Sequence, residues 1–399
     1  MSQLPAGWVF SNLRNIGLPK TLNIDPSKYP DEVFELYSVP SYSQSAPEIV
    51  KGSEIRSTKQ MVQPGDVLLC KIVPHIVRVW VVPNKSNYRQ IASGEWILIR
   101  PDSKQVCAEY LRYALTEPRF RAEFMNTVAG VGGSLMRARP KAVAEIPIPL
   151  PPIEEQRRIV ARLDSLLAQS KAARAELNKA IALAKRQRQA VLAKTISQTN
   201  RKQVKISDLG TVRLGRQRSP KNHVGDNMLP YIRAANITWN GLALDDVLEM
   251  HFSPQEAKTF QLQPGDILLS EASGSASEVG KPAIWQGEIE NCCFQNTVIR
   301  VRPNDLRMTK YLFYVFLSYA YNGNFTNASR GIGIHHIGSE RLANLTIPLP
   351  SLEEQKEIVK RVEAAFAQIE TMENEAKKAL ALAERLEQAT LAKAFQGQL

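Results

Sequence analysis

Ile146-Pro-Ile-Pro-Leu-Pro-Pro-Ile-Glu-Glu-Gln-Arg-Arg-Ile-Val160 stands in the middle of the chain, and Leu345-Thr-Ile-Pro-Leu-Pro-Ser-Leu-Glu-Glu-Gln-Lys-Glu-Ile-Val359 near its end. Glu155 and Glu354 are 199 residues apart, and the same spacing carries Ala193-Lys194 onto Ala392-Lys393. The duplication is register-true along a whole element, so it governs the architecture. In each copy apolar residues alternate with proline. Such a run can neither continue a helix nor occupy a central strand, because proline lacks the N–H and biases its predecessor to extended geometry. It predicts a stiff lead-in.

Glu154 and Glu155 follow in the first helical turn, where the positive end of the helix dipole favours carboxylates. Leu163, Leu167, Ser170, Leu177, Ile181, Ala184 and Val191 then fall on heptad spacing, as do Val362, Phe366, Ile369, Ala376, Leu380, Ala383 and Ala394 in the second copy. That is the pattern of a coiled-coil seam. Each copy predicts a continuous helix of about 45 residues, roughly 67 Å at 1.5 Å per residue. Residues 153–197 carry ten basic and four acidic side chains, net +6; residues 352–396 carry seven basic and nine acidic, net −2. Arg174 and Arg188 of the first copy correspond to Glu373 and Glu387 of the second. Opposite charge favours pairing of the two helices with each other over pairing of like helices between chains. The alternative is that each helix packs only on its own domain.

Length and composition set the outer bounds. A chain of 399 residues with 44% apolar content supports two or three domains with real cores. No apolar run is long enough to span a membrane, and Met1-Ser-Gln-Leu-Pro5 lacks the features of a signal peptide, so a soluble cytoplasmic protein is expected. Cys70, Cys107, Cys292 and Cys293 form no Cys-x-x-Cys pair, which points to reduced structural thiols rather than zinc or disulfides. The net charge of +12 and a pI near 9.5 favour a polyanionic partner.

Each lead-in closes a block with a shared order of parts. In the first, a short strand at Trp8 to Leu13 and a Pro/Ser-rich region precede Val62-Gln-Pro-Gly-Asp-Val-Leu-Leu69, where Pro64-Gly65 suits a type II turn feeding a buried strand. Strands at 78–82 and 95–100 follow, then a helical pattern over 107–128, a Gly-rich loop at 129–134 and a basic segment at 137–141. In the second, Leu262-Gln-Pro-Gly-Asp-Ile-Leu-Leu269 repeats the turn and strand 200 residues on, followed by strands at 283–286 and 297–301, a helix at 310–320 and the loop 329–333. The frameworks agree while the loops diverge, which predicts one scaffold carrying two different binding surfaces.

Paired Pro-rich lead-ins running into Glu-Glu-Gln helices, each preceded by a Gln-Pro-Gly-Asp-Val/Ile-Leu-Leu block, resemble the specificity subunit of Type I restriction-modification systems over the whole length. The resemblance implies an α+β fold: two globular mixed α/β target recognition domains, at 1–151 and 199–350, joined by two long antiparallel coiled-coil helices, at 152–198 and 351–399, in an internal pseudo-twofold repeat. It implies further that each domain reads one half of a bipartite, asymmetric site in double-stranded DNA. The helices would set the spacer and dock two modification subunits, and the chain itself would be non-catalytic. It implies no cofactor in this chain; S-adenosylmethionine, ATP and magnesium belong to its partners, the adenine-N6 methyltransferase (modification) subunits and the translocating endonuclease (restriction) subunits. A non-catalytic coiled-coil DNA-binding scaffold or regulator is the alternative, and an enzyme acting alone a further one. Divergent loops within a shared framework are what a two-site DNA-recognition protein requires and a scaffold does not.

Catalytic signatures are absent from the sequence. Ser273 to Lys281 faintly resembles a phosphate-binding loop, but five residues instead of four lie between Gly274 and Gly280, and Pro282 stands where Ser or Thr would bind magnesium. His335-His336 has no Cys or acidic residue at ligand spacing. Loop residues carrying donors are the candidates for DNA contact. In the first block these are Lys71, His75, Arg78, Lys85, Asn87, Tyr88, Arg89, Arg137, Arg139 and Lys141; in the second, Arg213, Arg216, Arg218, Lys221, Arg233, Asn236, Ser273, Ser275, Arg330, His335 and His336. Arg pairs bidentately with guanine and Asn with adenine, whereas half or more of such contacts go to phosphate and sugar. The dense basic run from Arg213 to Lys221 assigns Arg216 and Arg218 to phosphate neutralisation. The uninterrupted heptads predict that excising one heptad from each helix, after Arg174 and after Glu373, shortens the recognised gap and leaves both half-sites unchanged. Methylation mapping checks this, and altered half-sites at a constant gap would refute it.

Overall fold

The computed structural model describes residues 4–84, 86–130, 136–196, 201–273, 278–325 and 335–399. It divides into two compact units, residues 1–177 with 378–399 and residues 178–377. The dividing lines fall inside the two long helices, the central one at Ile153–Ile196 and the distal one at Leu352–Ala394. Each unit thus holds the start of one helix and the end of the other.

In the first unit, Val67–Cys70 lies between Val79–Val81 and Trp96–Ile99 in an antiparallel sheet, register Val67↔Ile99. Val67 to Cys70 are all buried, which is why this strand reads as an unbroken apolar run. Beside it is a five-stranded sheet in the order Asn23–Ile24, Lys59–Met61, Arg89–Ala92, Val33–Tyr37, Glu48–Lys51. Most of that sheet comes from the stretch read as a Pro/Ser-rich region: its strands are short and bounded by 3-10 turns, so alternation has no room to show. The helical pattern at 107–128 is two helices, Ala108–Ala114 and Pro118–Asn126, broken by Pro118. Glu117 caps the second, accepting from the N–H groups of Arg119 and Phe120 at 2.9 and 2.7 Å.

In the second unit, Ile267–Ser270 lies between Pro282–Ile284 and Val298–Pro303, with Gly210–Leu214 added beyond the last. The register Ile267↔Val301 repeats that of the first unit. The helix Thr309–Tyr321 has no internal proline and runs unbroken.

Three devices recur in both units. The Gln-Pro-Gly-Asp turn places Gly65 and Gly265 at φ +85° and +92°, as the third residue of a type II turn requires. The aspartate that follows is fully buried, 0% exposed for Asp66 and 1% for Asp266. It accepts from the Gln63 or Gln263 N–H at 2.8 Å, and a guanidinium forks onto it: Arg100 at 2.7 and 2.7 Å, Arg302 at 2.6 and 2.7 Å. Second, each Pro-rich lead-in forms an edge ribbon, Pro147–Leu150 with Val9–Asn12 and Thr346–Pro348 with Gln203–Lys205. Third, carbonyls of the lead-in are satisfied from the helical side. Tyr110 Oη donates to Pro149 O at 2.7 Å and Tyr311 Oη to Pro348 O. The glutamine of each Glu-Glu-Gln motif is buried and donates to Pro151 O (Gln156, 2.8 Å) or Pro350 O (Gln355, 3.0 Å).

The helices pair antiparallel. Arg174 bonds Glu387 at 3.1 Å and Glu384 at 3.0 Å in the first unit, and Arg188 bonds Glu373 at 2.7 Å in the second. Their ends are set in domain cores. Ile159, Leu163, Leu391, Ala394 and Phe395 pack with Tyr110 and Phe124, and Leu192, Ile196, Ile358 and Val362 with Tyr311 and Val315. Arg302→Met leaves the buried Asp266 carboxylate without its ion partner and is expected to cost roughly 3 kcal/mol in urea unfolding. Arg307→Met, at a surface pair with Asp305, is expected to leave the urea midpoint nearly unchanged, because solvent screens exposed ion pairs. Equal losses would refute this ranking.

Candidate nucleic-acid interface

The same backbone crossing occurs in each unit. In the first, the chain leaving the buried strand at Lys71 donates its N–H to Glu95 O at 3.0 Å, and Lys71 O accepts from Ala138 N at 2.8 Å. An isolated bridge joins Ile72 to Arg137. Three remote segments therefore meet: the start of the 71–78 loop, the turn at 93–95, and the segment after the Gly-rich loop. Arg137 reaches Glu95 with Nη2 at 3.3 Å and Nε at 3.5 Å, and Lys71 Nζ donates to Gly94 O at 2.5 Å.

In the second unit Glu271 occupies the place of Lys71. Its N–H donates to Thr297 O at 2.9 Å, and its carbonyl accepts from Ile337 N at 3.1 Å. Ala272–Ser273 pairs with His335–His336. His336 Nδ1 lies 3.0 and 3.2 Å from the two Glu271 carboxylate oxygens. Backbone geometry is shared and the side chains differ: Lys71, Glu95 and Arg137 in one unit correspond to Glu271, Thr297 and His336 in the other. The two glutamates carry no donor, so a search for loop donors in the sequence does not find them. The 200-residue offset that puts Glu271 on Lys71 was the available signal.

Other candidates separate into open and engaged. His75, Asn87, Tyr88, Lys141, Arg213, Arg218 and Lys221 are exposed; Arg218 Nε meets His223 Nε2 at 3.2 Å. Arg78 is half-buried, and among the described residues it reaches Cys70 Sγ, at 3.9 Å. Arg89 bonds Glu32 at 3.0 Å and lies over Tyr29. Arg139 Nε donates to Thr127 O at 3.0 Å, and Arg233 pairs with Asp246. Asn236 is turned inward. It is buried, accepts from Arg233 N at 3.1 Å and donates to Ala243 O and Asp246 O at 2.9 and 3.0 Å, so it holds its own loop closed. Ser273 and His335 are described by their backbone pairing alone. Lys85, Ser275 and Arg330 lie outside the described residues.

Residues 5–182 and again 199–381 match the family described as Type I restriction modification DNA specificity domain. The chain belongs to this specificity family. Among the relatives is the StySPI specificity subunit of Salmonella potsdam, 28% identical over 317 residues, 75% of this chain and 67% of the relative. The EcoKI specificity subunit of Escherichia coli K12 is 27% identical over 319 residues, 76% and 68% of the two chains. A chain solved in a study of complex assembly and conformational transition of the type I R-M system has the same fold, with TM-score 0.84, 24% identity and full coverage of both chains.

Within this specificity protein, two sequence features turn out to be structural. The lysine of the stretch resembling a phosphate loop, Lys281, is bonded to Glu278, which also accepts from Trp239 Nε1 at 3.1 Å. Lys281 holds the Glu278 carboxyl below its ordinary range. Cys292 and Cys293 are buried free thiols, and burial pushes both up to about 12, away from thiolate chemistry.

Arg216 is the main correction. Its side chain is 12% exposed, with Nε on Glu256 at 2.7 Å, Nη1 on His251 O at 2.6 Å and the guanidinium over Phe252. Burial raises the pKa of Glu256, but bonds from Ser253 and Arg216 outweigh it and hold the carboxyl low. A guanidinium so engaged is unavailable to phosphate. Arg216→Ala is therefore expected to lower the unfolding free energy by about 2 kcal/mol with no change in the salt dependence of DNA binding. Arg218→Ala, at an exposed position, is expected to flatten the salt slope by about one unit at unchanged stability. Salt titrations and melts of both variants check the assignment.

Proposed function

We propose that this chain is the DNA sequence-recognition subunit of a Type I restriction-modification assembly, with one half of a bipartite, asymmetric site read by each unit. The observation that carries the reading is the repeated crossing. One backbone arrangement presents Lys71, Glu95 and Arg137 in one unit and Glu271, Thr297 and His336 in the other. A protein that reads a palindrome would present the same groups twice; different groups on one frame suit two unlike half-sites. The net charge of +12 supplies the non-specific attraction to the phosphate backbone.

Membership of the specificity family supports the finer assignments. Each unit supplies a target recognition domain, and the central and distal helices fix the spacer between half-sites. The partners are two modification subunits, which methylate adenine, and restriction subunits, which translocate and cut. S-adenosylmethionine, ATP and magnesium belong to those partners, and the chain contributes recognition and no chemistry of its own. Among the described residues no helix is long and apolar enough to cross a membrane, and the proposed site of action is the cytoplasm, with the DNA.

Single-molecule sequencing of methylated adenines tests this in cells that express the chain with its modification subunit, against cells that lack only the chain. A split, asymmetric motif methylated on both strands should disappear with the chain. Persistence of the same motif without it would sink the proposal.

A further inference from the structure

Two side chains at the crossing occupy equivalent places in the duplication and share one arrangement. Arg137 and His336 are 199 residues apart, in register with the duplication, and their successors Ala138 and Ile337 make the same backbone bond. Both are about half exposed, at 49% and 55% of the side chain. Each is braced by a carboxylate from another segment, Glu95 for Arg137 and Glu271 for His336. The braces come from different segments, the turn before Trp96–Ile99 and the residue just after Ile267–Ser270, so the acid is not a shared framework residue. The same spatial relation has been reached from two sides.

A brace of this kind argues against a phosphate role. A carboxylate within about 3.5 Å offsets much of the local positive charge, and attraction to phosphate depends on that charge. Hydrogen bonds to a neutral base edge do not depend on it in the same way; they need a donor or acceptor fixed in direction. The brace provides that fixing. We infer that Arg137 and His336 are the equivalent base-reading side chains of the two units, and that Glu95 and Glu271 are the positioning residues that orient them. This inference rests on the sequence-recognition function proposed above.

Stereochemistry separates the two positions. Glu95 takes the Nε and Nη2 edge of Arg137, at 3.5 and 3.3 Å. The opposite edge, with Nη1 and the second Nη2 hydrogen, is a two-donor fork that fits guanine O6 and N7. At His336 the carboxylate can only accept, so Nδ1 carries the proton facing Glu271, and Nε2 is the single ring atom left to meet a base. A fork makes two bonds to one base and an imidazole makes one. Guanine should therefore be demanded strongly at one position of the half-site read by the first unit. The corresponding position of the other half-site should be less selective.

The test is selection of a randomised duplex library by the full-length chain assembled with its modification subunits, with a salt titration on the selected duplex. Arg137→Lys keeps the charge and loses the fork. It should reduce guanine preference roughly tenfold at one position of one half-site, leaving the other half-site, the gap and the salt slope unchanged. The intact second half-site reports that the variant is folded. Glu95→Gln should relax that same position, and Glu95→Asp should restore part of the preference. His336→Ala and Glu271→Gln should relax one position of the other half-site, by a smaller factor. Uniform weakening across all sequences with a flatter salt slope would assign these residues to phosphate and overturn the inference. A wild-type assembly that selects no split motif would overturn the sequence-recognition function itself, a different result in the same experiment.

Discussion

Opposed charge on two copies of one helix is the constraint on which the architecture depends. Duplication alone makes two similar helices, and similar helices pair as readily between chains as within one. Here the central copy is net positive and the distal copy net negative. The positions that correspond in the repeat, Arg174 with Glu373 and Arg188 with Glu387, bond crosswise, Arg174 to Glu387 and Arg188 to Glu373. Crosswise pairing of repeat-equivalent residues is what an antiparallel pair related by a pseudo-twofold requires. Half-buried pairs of this type contribute about 1 kcal/mol or less each. Burying Leu163, Phe395, Ile358 or Val362 contributes roughly 1.5 to 3 kcal/mol apiece. The apolar ends therefore hold the helices to the domains, while the ion pairs select the partner.

Each domain is locked to its helix by polar groups that a proline-rich strand leaves over. The lead-ins pair on one edge only, so carbonyls at Pro149, Pro151, Pro348 and Pro350 need partners, and Tyr110, Gln156, Tyr311 and Gln355 supply them. Gln156 also donates to Gln105 O and accepts from Cys107 N, at 2.9 and 2.8 Å, binding the helix start to the domain's own helical layer. The proposed function requires rigidity at this junction: a loose joint would blur the spacing that the helices are proposed to fix.

The buried Asp66–Arg100 and Asp266–Arg302 forks explain how the two frames stay alike while the loops diverge. A buried carboxylate must keep its partner, because losing it leaves an uncompensated charge. The turn, the strand and the arginine-bearing neighbour are thereby fixed together. The loops beyond them carry no such penalty and are free to differ, as Lys71 and Glu271 do at one and the same place.

The sequence by itself determined the duplication, the stiff lead-ins, both long helices, the charge that pairs them and the type II turns. All of these are local: they depend on proline geometry, heptad spacing and a glycine at positive φ, within a few residues of one another. It missed most of the five-stranded sheet, whose strands are too short to show a period, and it read one helix where Pro118 makes two. Only the tertiary structure decided which candidate side chains the protein itself engages. Arg216 is tied to Glu256, Asn236 to its own loop, Arg137 to Glu95 and His336 to Glu271. The reason is physical: a side chain's availability depends on the partner that reaches it. Those partners lie up to 65 residues away, as Glu271 does from His336, and only the folded backbone brings them together.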